Sequence, residues 1–114
     1  MSVKGRWYNE LGSYMDLEVN GDLIEGIYYT AVGDAEGAYQ LRGVIDSKGD
    51  PNSKGQAIAW VVVWKNKKSN SGSVTAWSGQ YQIIDDGEEE IVTLWLLTKE
   101  ESSQDDWAST SINQ

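Results

Sequence analysis

The sequence contains no cysteine, no histidine and no phenylalanine, and a single proline, Pro51, among 114 residues. Without cysteine there are no disulfides and no thiolate metal sites. Without histidine the commonest general base near neutral pH and the commonest metal ligand are missing, so no Ser-His-Asp or Cys-His centre can form. Carboxylates, tyrosines and lysines remain for acid–base work, which leaves enzymes disfavoured. Positive charge is also scarce: 9 Lys and Arg stand against 18 Asp and Glu, a formal charge of -9. Such a surface repels phosphate backbones and anionic lipid, which argues against nucleic acid and membrane as partners. No apolar run approaches the roughly 20 residues of a membrane span. The opening Met1-Ser2-Val3-Lys4-Gly5 has no apolar signal region, so either the chain stays inside the cell or Met1 replaces a leader.

What is present is aromatic and polar at once. There are six Trp and six Tyr, which pair an apolar body with a hydrogen-bonding tip, as binding surfaces require. Residues 1–114 read as one domain, long enough for a core without staples. Helical periodicity is missing. Short β-rich runs alternate with turn clusters, the pattern of a sandwich or barrel. Eight strands are predicted, at about 6–10, 14–19, 24–31, 38–45, 56–65, 73–81, 91–99 and 107–112. The separators include Asn20-Gly21-Asp22, 33–37, 47–55, 66–72 and Asp85-Asp86-Gly87. Connections this short join antiparallel neighbours, so the expected fold is all-β, an eight-stranded antiparallel up-and-down β-barrel with room for one small ligand. The triplet Glu88–Glu90 reads as a solvated entry to the seventh strand.

Alternation selects the faces. In the fifth strand Trp60, Val62 and Trp64 share one side and Ala59, Val61 and Val63 the other; in the seventh, Thr93, Trp95 and Leu97 alternate with Val92, Leu94 and Leu96. A lone barrel shows water one of those faces. Apolar residues on both predict that another subunit covers the outer wall, a homo-oligomer. On the inner side Trp64, Trp77, Trp95 and Trp107 fall on four different predicted strands. Thr75 and Thr93 sit two residues before Trp77 and Trp95, which puts hydroxyls beside the rings. An aromatic box with a few convergent hydroxyls describes a small-molecule pocket. Asn9, Ser13, Tyr28 and Thr30 extend the polar set.

These blocks resemble the avidin and streptavidin family. Gly5-Arg6-Trp7-Tyr8-Asn9-Glu10-Leu11-Gly12-Ser13 is similar to the family's opening strand and turn. The run 26–36 is similar to its third strand and the following loop, and Trp60–Asn66 to its fifth strand. Ser73-Val74-Thr75-Ala76-Trp77-Ser78-Gly79-Gln80-Tyr81 matches its most recognisable block. Thr93–Thr98 and Trp107–Thr110 follow in order, so the resemblance spans nearly the whole chain.

The resemblance implies a streptavidin-like barrel that binds biotin at high affinity without catalysis and without a cofactor or metal. Its expected role is sequestration or defence by a secreted homotetramer; a dimer is the alternative, since the last strand is short. Residue by residue, it implies that Asn9, Ser13 and Tyr28 donate to the ureido oxygen. Thr30 would accept from a ureido N–H, and Thr75 would reach the ring sulfur. Ser73 and the backbone N–H of Asp34 would meet the valerate carboxylate. Val32, Trp64, Trp77, Trp95 and Leu97 would line the pocket, and Trp107 would close that of a neighbouring subunit. Three departures stand out. Asp34 replaces a common Asn and puts negative charge near the ligand carboxylate. Ser111 replaces an apolar residue. The family's last-strand Asp, eight residues after the Trp matched by Trp107, has no counterpart in a sequence that ends at Gln114, and an unpaired buried N–H costs about 1–3 kcal/mol. The competing expectation is a Trp-rich barrel that stacks on another small ligand or sugar, which predicts exposed flat aromatics in place of an enclosed box.

Overall fold

The computed structural model describes residues 2–30, 37–49, 55–65, 72–99 and 110–113. They form eight strands: β1 (Gly5–Tyr8), β2 (Tyr14–Asn20), β3 (Leu23–Thr30), β4 (Gly37–Ile45), β5 (Gly55–Lys65), β6 (Gly72–Ile83), β7 (Glu89–Lys99) and β8 (Thr110–Asn113). Every strand pairs antiparallel with the next in the chain, in the order β1 to β8. This is the up-and-down topology expected from the short connections. The sheet curls into a half-barrel, and among the described residues no ladder joins β8 back to β1.

Turn chemistry sets the registers. Asn20 pairs with Leu23, which leaves a two-residue hairpin turn with Gly21 at φ 64°. A positive φ at the first turn residue matches the twist of the flanking strands, and glycine adopts it at no steric cost. Asp22 then ties this hairpin to the end of β4. Its carbonyl accepts from Ile45 N at 2.9 Å, and its carboxylate accepts from the Ser47 amide and hydroxyl. The Ser47 hydroxyl bond, followed by the amide bond, holds the Asp22 carboxyl below its usual range. Between β6 and β7 a single turn, Asp85–Gly87, reverses the chain with Asp86 at φ 70°.

Alternation then fills the interior. Met15, Leu17, Ile24, Leu41, Ile45, Ile58, Trp60, Val62 and Tyr81 are buried and form one cluster with Val3. Val3 precedes β1, and its carbonyl accepts from Trp7 Nε1 at 2.8 Å. The Trp7 ring meets Tyr81 edge-on at 5.8 Å, so the segment before β1 packs over one end of the core. Three inward strand positions, Gly26, Gly43 and Gly79, must be glycine. A Cβ on Gly79 would lie 1.9 Å from the Val92 carbonyl oxygen, and one on Gly43 would lie 2.7 Å from the Trp60 Cβ. The absent side chains let neighbouring backbone and the Trp60 indole come in close.

The outer faces differ from one side of the sheet to the other. On β5–β7, Val61, Val63, Val74, Val92, Leu94 and Leu96 are exposed. They sit on adjacent strands, as in the rows Val63↔Val74 and Val61↔Ala76↔Leu96. The two-sided apolar pattern read from the sequence is therefore a contiguous patch on the outer wall.

The strand predictions need two adjustments. The first strand stops at Tyr8, not 10, because Asn9 begins a side-chain-stabilised turn. β6 runs to Ile83 and β7 starts at Glu89, so the sixth hairpin is longer than read. Of the predicted eighth strand, Thr110–Asn113 is described as β8; Trp107, placed by the sequence on that strand, lies outside the described residues.

Candidate functional site

The site starts from a turn. Asn9 Oδ1 accepts from the backbone N–H of Leu11 at 2.9 Å and of Ser13 at 3.1 Å. The Asn9 N–H in turn donates to the Ser13 carbonyl at 3.0 Å. Asn and Asp side chains favour such turns because the side-chain oxygen stands in for a backbone acceptor. Gly12 completes it at φ 86°. With Oδ1 fully engaged, the Asn9 amide orientation follows from the network: the NH2 group faces the barrel interior and donates to Tyr28 Oη at 3.4 Å. An amide NH2 has two hydrogens and a phenol has one. Asn9 therefore keeps a second N–H, and Tyr28, by accepting, keeps its own proton to donate. Ser13 is 3% exposed beside them.

Aromatic packing fixes Tyr28. Its ring stacks on Trp77 at 5.4 Å and meets Trp64 edge-on at 5.5 Å. Burial pushes the Tyr28 phenol above its ordinary value, partly offset by the Asn9 bond, so Tyr28 remains a neutral donor at physiological pH. Trp77 stacks on its other neighbour, Trp60, at 5.6 Å and 19°. Tyr39 abuts Trp64 at 5.0 Å. The register sets these rings side by side: Trp60 pairs with Trp77 and Trp77 with Trp95 across β5, β6 and β7.

Thr75 is the second polar anchor. It is 4% exposed, and its Oγ1 accepts from Trp64 Nε1 at 2.7 Å. An indole N–H only donates, so the direction of the bond is certain and the Thr75 hydroxyl proton is left for another acceptor. Ser73 lies on the same face of β6, paired with Trp64, and Leu97 pairs with Thr75. Thr30 lies two residues after Tyr28 on the inner face of β3.

A cavity of about 550 Å³ runs along this inner face, lined by Asn9, Ser13, Tyr28, Trp60, Trp77 and Trp95 among others. Its size is that of a small-molecule site. The structure thus gathers Asn9, Ser13, Tyr28, Trp77 and Trp95 around one cavity and binds Trp64 and Thr75 directly to that group. Ser73, Thr30 and Leu97 share the inner face but do not line the cavity. Val32, Asp34 and Trp107 lie outside the described residues. The sequence reading missed Trp60 as a wall of the site. Its signal was there, since Trp60 and Trp64 share one face of the fifth strand. Trp60 Nε1 is buried without a partner among the described residues.

The donor set has a chemical consequence. Two side chains with spare protons, and Ser13 beside them, converge at one end of an aromatic slot, which suits a compact ligand with an exposed carbonyl-type oxygen. No group of His, Cys, Asp and Glu among the described residues could hold a metal ion.

A family model described as the Avidin family matches residues 1–114. Among curated proteins, the Gallus gallus protein Avidin is 30% identical over 115 residues, covering 97% of this chain and 73% of the relative. Avidin-related protein 4/5 from the same organism is 31% identical over 114 residues, and Avidin-related protein 2 is 32% identical over 116, with the same coverages.

Proposed function

Because the chain belongs to the avidin family, a family of non-enzymatic biotin-binding proteins, we propose that it binds biotin at high affinity in the aromatic cavity. The observation that carries this reading is the convergence of Asn9 Nδ2 and Tyr28 Oη, with Ser13 buried alongside, next to the Trp77 ring. These three groups donate to the ureido oxygen. Several preorganised donors on one oxygen favour its polarised form and need no reordering on binding. Thr30 accepts from a ureido N–H. Thr75, which accepts from Trp64 Nε1 and keeps its hydroxyl proton, donates to the ring sulfur. Ser73 and the Asp34 N–H hold the carboxylate at the mouth. Trp64, Trp77, Trp95, Leu97 and Val32 enclose the bicyclic ring, and Trp107 serves the pocket of a neighbouring subunit.

Assembly into a homotetramer, with a dimer as the alternative, uses the apolar outer patch of β5–β7. Six exposed Val and Leu side chains on adjacent strands are the kind of surface that marks an interface. The role is sequestration of free biotin outside the cell.

Retention on biotin-agarose tests the binding directly. The protein is expected to stay on the resin through high salt, which excludes simple ion exchange, and to elute with free biotin. Passage through the resin at micromolar protein would sink the proposal. A sugar ligand in this cavity is the weaker reading, because the pocket rings pack edge-on and face-on against one another instead of offering one flat open platform.

A further inference from the structure

β1 and β7 border a cleft that opens into the side of the aromatic cavity. β1 is paired on one edge only, to β2. β7 is paired along its whole length to β6, but β8 pairs only with Trp95–Thr98. Among the described residues, Glu89–Leu94 therefore has no strand on its second edge. At the end where β7 begins, the cleft holds about 370 Å³ between Ser2, Lys4 and Trp7 on one side and Glu88 and Glu89 on the other. At the end near the Asn9 turn, Tyr8, Asn9, Glu10 and Leu11 stand opposite Ile91. Between these ends, Trp7 and Tyr8 line the 550 Å³ cavity together with Glu90, Ile91 and Thr93.

We propose that this cleft takes an extended, basic peptide strand, which adds to the free edge of β7 in line with β8 and closes the open side of the cavity. A strand edge presents a row of backbone donors and acceptors, and an incoming strand pairs with them. Glu89–Leu94 offers six residues for this, a span of about 20 Å at roughly 3.3 Å per residue. The walls also set the side-chain pattern of the partner. Trp7 and Ile91 pack inward against the core, so the inward residues of the strand are apolar. Tyr8 and Val92 are exposed on the outside, so its outward residues are polar and meet water.

Charge selects a basic strand. Glu10 stands at one end of the cleft, Glu88 and Glu89 at the other, and Glu90 between them. Glu89 and Glu90 accept from Tyr81 and Gln82, neutral donors that leave both charges uncompensated. The cations beside the cleft are already committed, Lys4 to Glu18 at 3.4 Å and Arg6 to Asp16 at 2.7 Å. The chain carries -9 overall, so an acidic strand would meet like charge there. Because the strand and a ligand in the cavity share Trp7 and Ile91 as walls, each favours the other by linkage. This coupling rests on the biotin reading; the strand addition does not.

The test uses the full chain and a fluorescent Lys-Val-Lys-Val-Lys-Val peptide, read by anisotropy in the absence of biotin. Its two alternately N-methylated forms keep the side chains and charge but lose the backbone donors of one edge or the other. A Glu-Val-Glu-Val-Glu-Val peptide reverses the charge. The expected result is micromolar binding of the first peptide, with one N-methylated form and the Glu peptide weaker by at least about tenfold. Glu88→Lys together with Glu90→Lys should reverse the preference between the Lys and Glu peptides while the melting transition stays cooperative. On the biotin-loaded chain, the Lys peptide should slow biotin release by at least about fivefold. No binding at millimolar peptide, equal binding of both N-methylated forms, or an unchanged preference in the double variant would each overturn strand addition. A chain mass that falls when peptide is added would show that a second copy fills the cleft, and would also overturn it. Biotin release unaffected by bound peptide would overturn the closure of the cavity. Failure to bind biotin at all would count against the biotin reading alone, since the peptide measurements stand without it.

Discussion

Trp64 Nε1 donates to Thr75 Oγ1 at 2.7 Å, and this bond decides what Thr75 can offer a ligand. An indole N–H can only donate, so the Thr75 hydroxyl accepts there and its own proton is left for another acceptor. Trp64→Phe keeps most of the ring that packs on Tyr28 and Tyr39 but frees the Thr75 hydroxyl to rotate. Loss of one neutral hydrogen bond costs about 0.5–1.5 kcal/mol of stability. Biotin affinity should fall by about tenfold, seen by calorimetry. An unchanged affinity would show that the orientation of Thr75 does not matter.

Asn9 separates fold from function in one side chain. Asn9→Asp keeps an oxygen to accept from Leu11 and Ser13, so the turn should survive. The variant loses the NH2 group that faces Tyr28 and the ligand, and places a carboxylate beside the ureido oxygen. A melting temperature within a few degrees of the parent, with affinity lower by at least about tenfold, is the expected pair of results. Asn9→Ala should lose both, because it also removes the acceptor of the turn.

Tyr81 predicts a pH dependence at the alkaline end. It is fully buried, and its hydroxyl donates to Glu89 Oε1 at 2.5 Å. Burial first, then the Glu89 bond and charge, push the phenol up to about 12 from 10.0. The folded chain therefore holds this proton where the unfolded chain releases it. The contribution is complete below pH 10 and is lost as pH rises through about 12. Chemical denaturation between pH 8 and 12 should show stability falling from pH 10 upward. Tyr81→Phe should be less stable at pH 8, by about 1 kcal/mol, and should show a flatter alkaline decline.

The β5–β7 patch predicts the oligomer. Leu94→Lys, alone or with Val61→Glu, puts charge on an exposed apolar face where a monomer would tolerate it. Light scattering after size exclusion should show the parent as an oligomer and the double variant at a lower mass, with a cooperative melt retained. A parent chain that runs as a monomer contradicts the interface.

Much of this was legible in the sequence, because a β-strand writes its faces with a period of two. Trp60, Val62 and Trp64 announced an inner face, and the short turns announced the meander. Boundaries were less legible where side chains act on the backbone: the first strand was read through to residue 10, yet it stops at Tyr8 because Asn9 turns to serve Leu11 and Ser13. Glu89 read as a solvated strand entry, yet it receives the hydroxyl of buried Tyr81 from the neighbouring strand, and Glu90 receives Gln82 Nε2 at 2.6 Å. Those partners depend on the register of β6 on β7, which alternation alone does not fix. The cluster in which Arg6 lies over the Tyr14 ring and Tyr14 stacks on Tyr29 was hidden for the same reason, since its members come from three strands. Thr75 was expected beside the pocket rings, but only the structure shows which ring takes its lone pair.

The most direct test of the account is an isothermal titration of the purified chain with biotin. One biotin per chain should bind with a strongly favourable enthalpy and a dissociation constant below about 1 μM, and Trp fluorescence should change in parallel as Trp77 and Trp95 meet the ligand. The absence of heat and of any fluorescence change, with tens of micromolar protein and excess biotin, would contradict it.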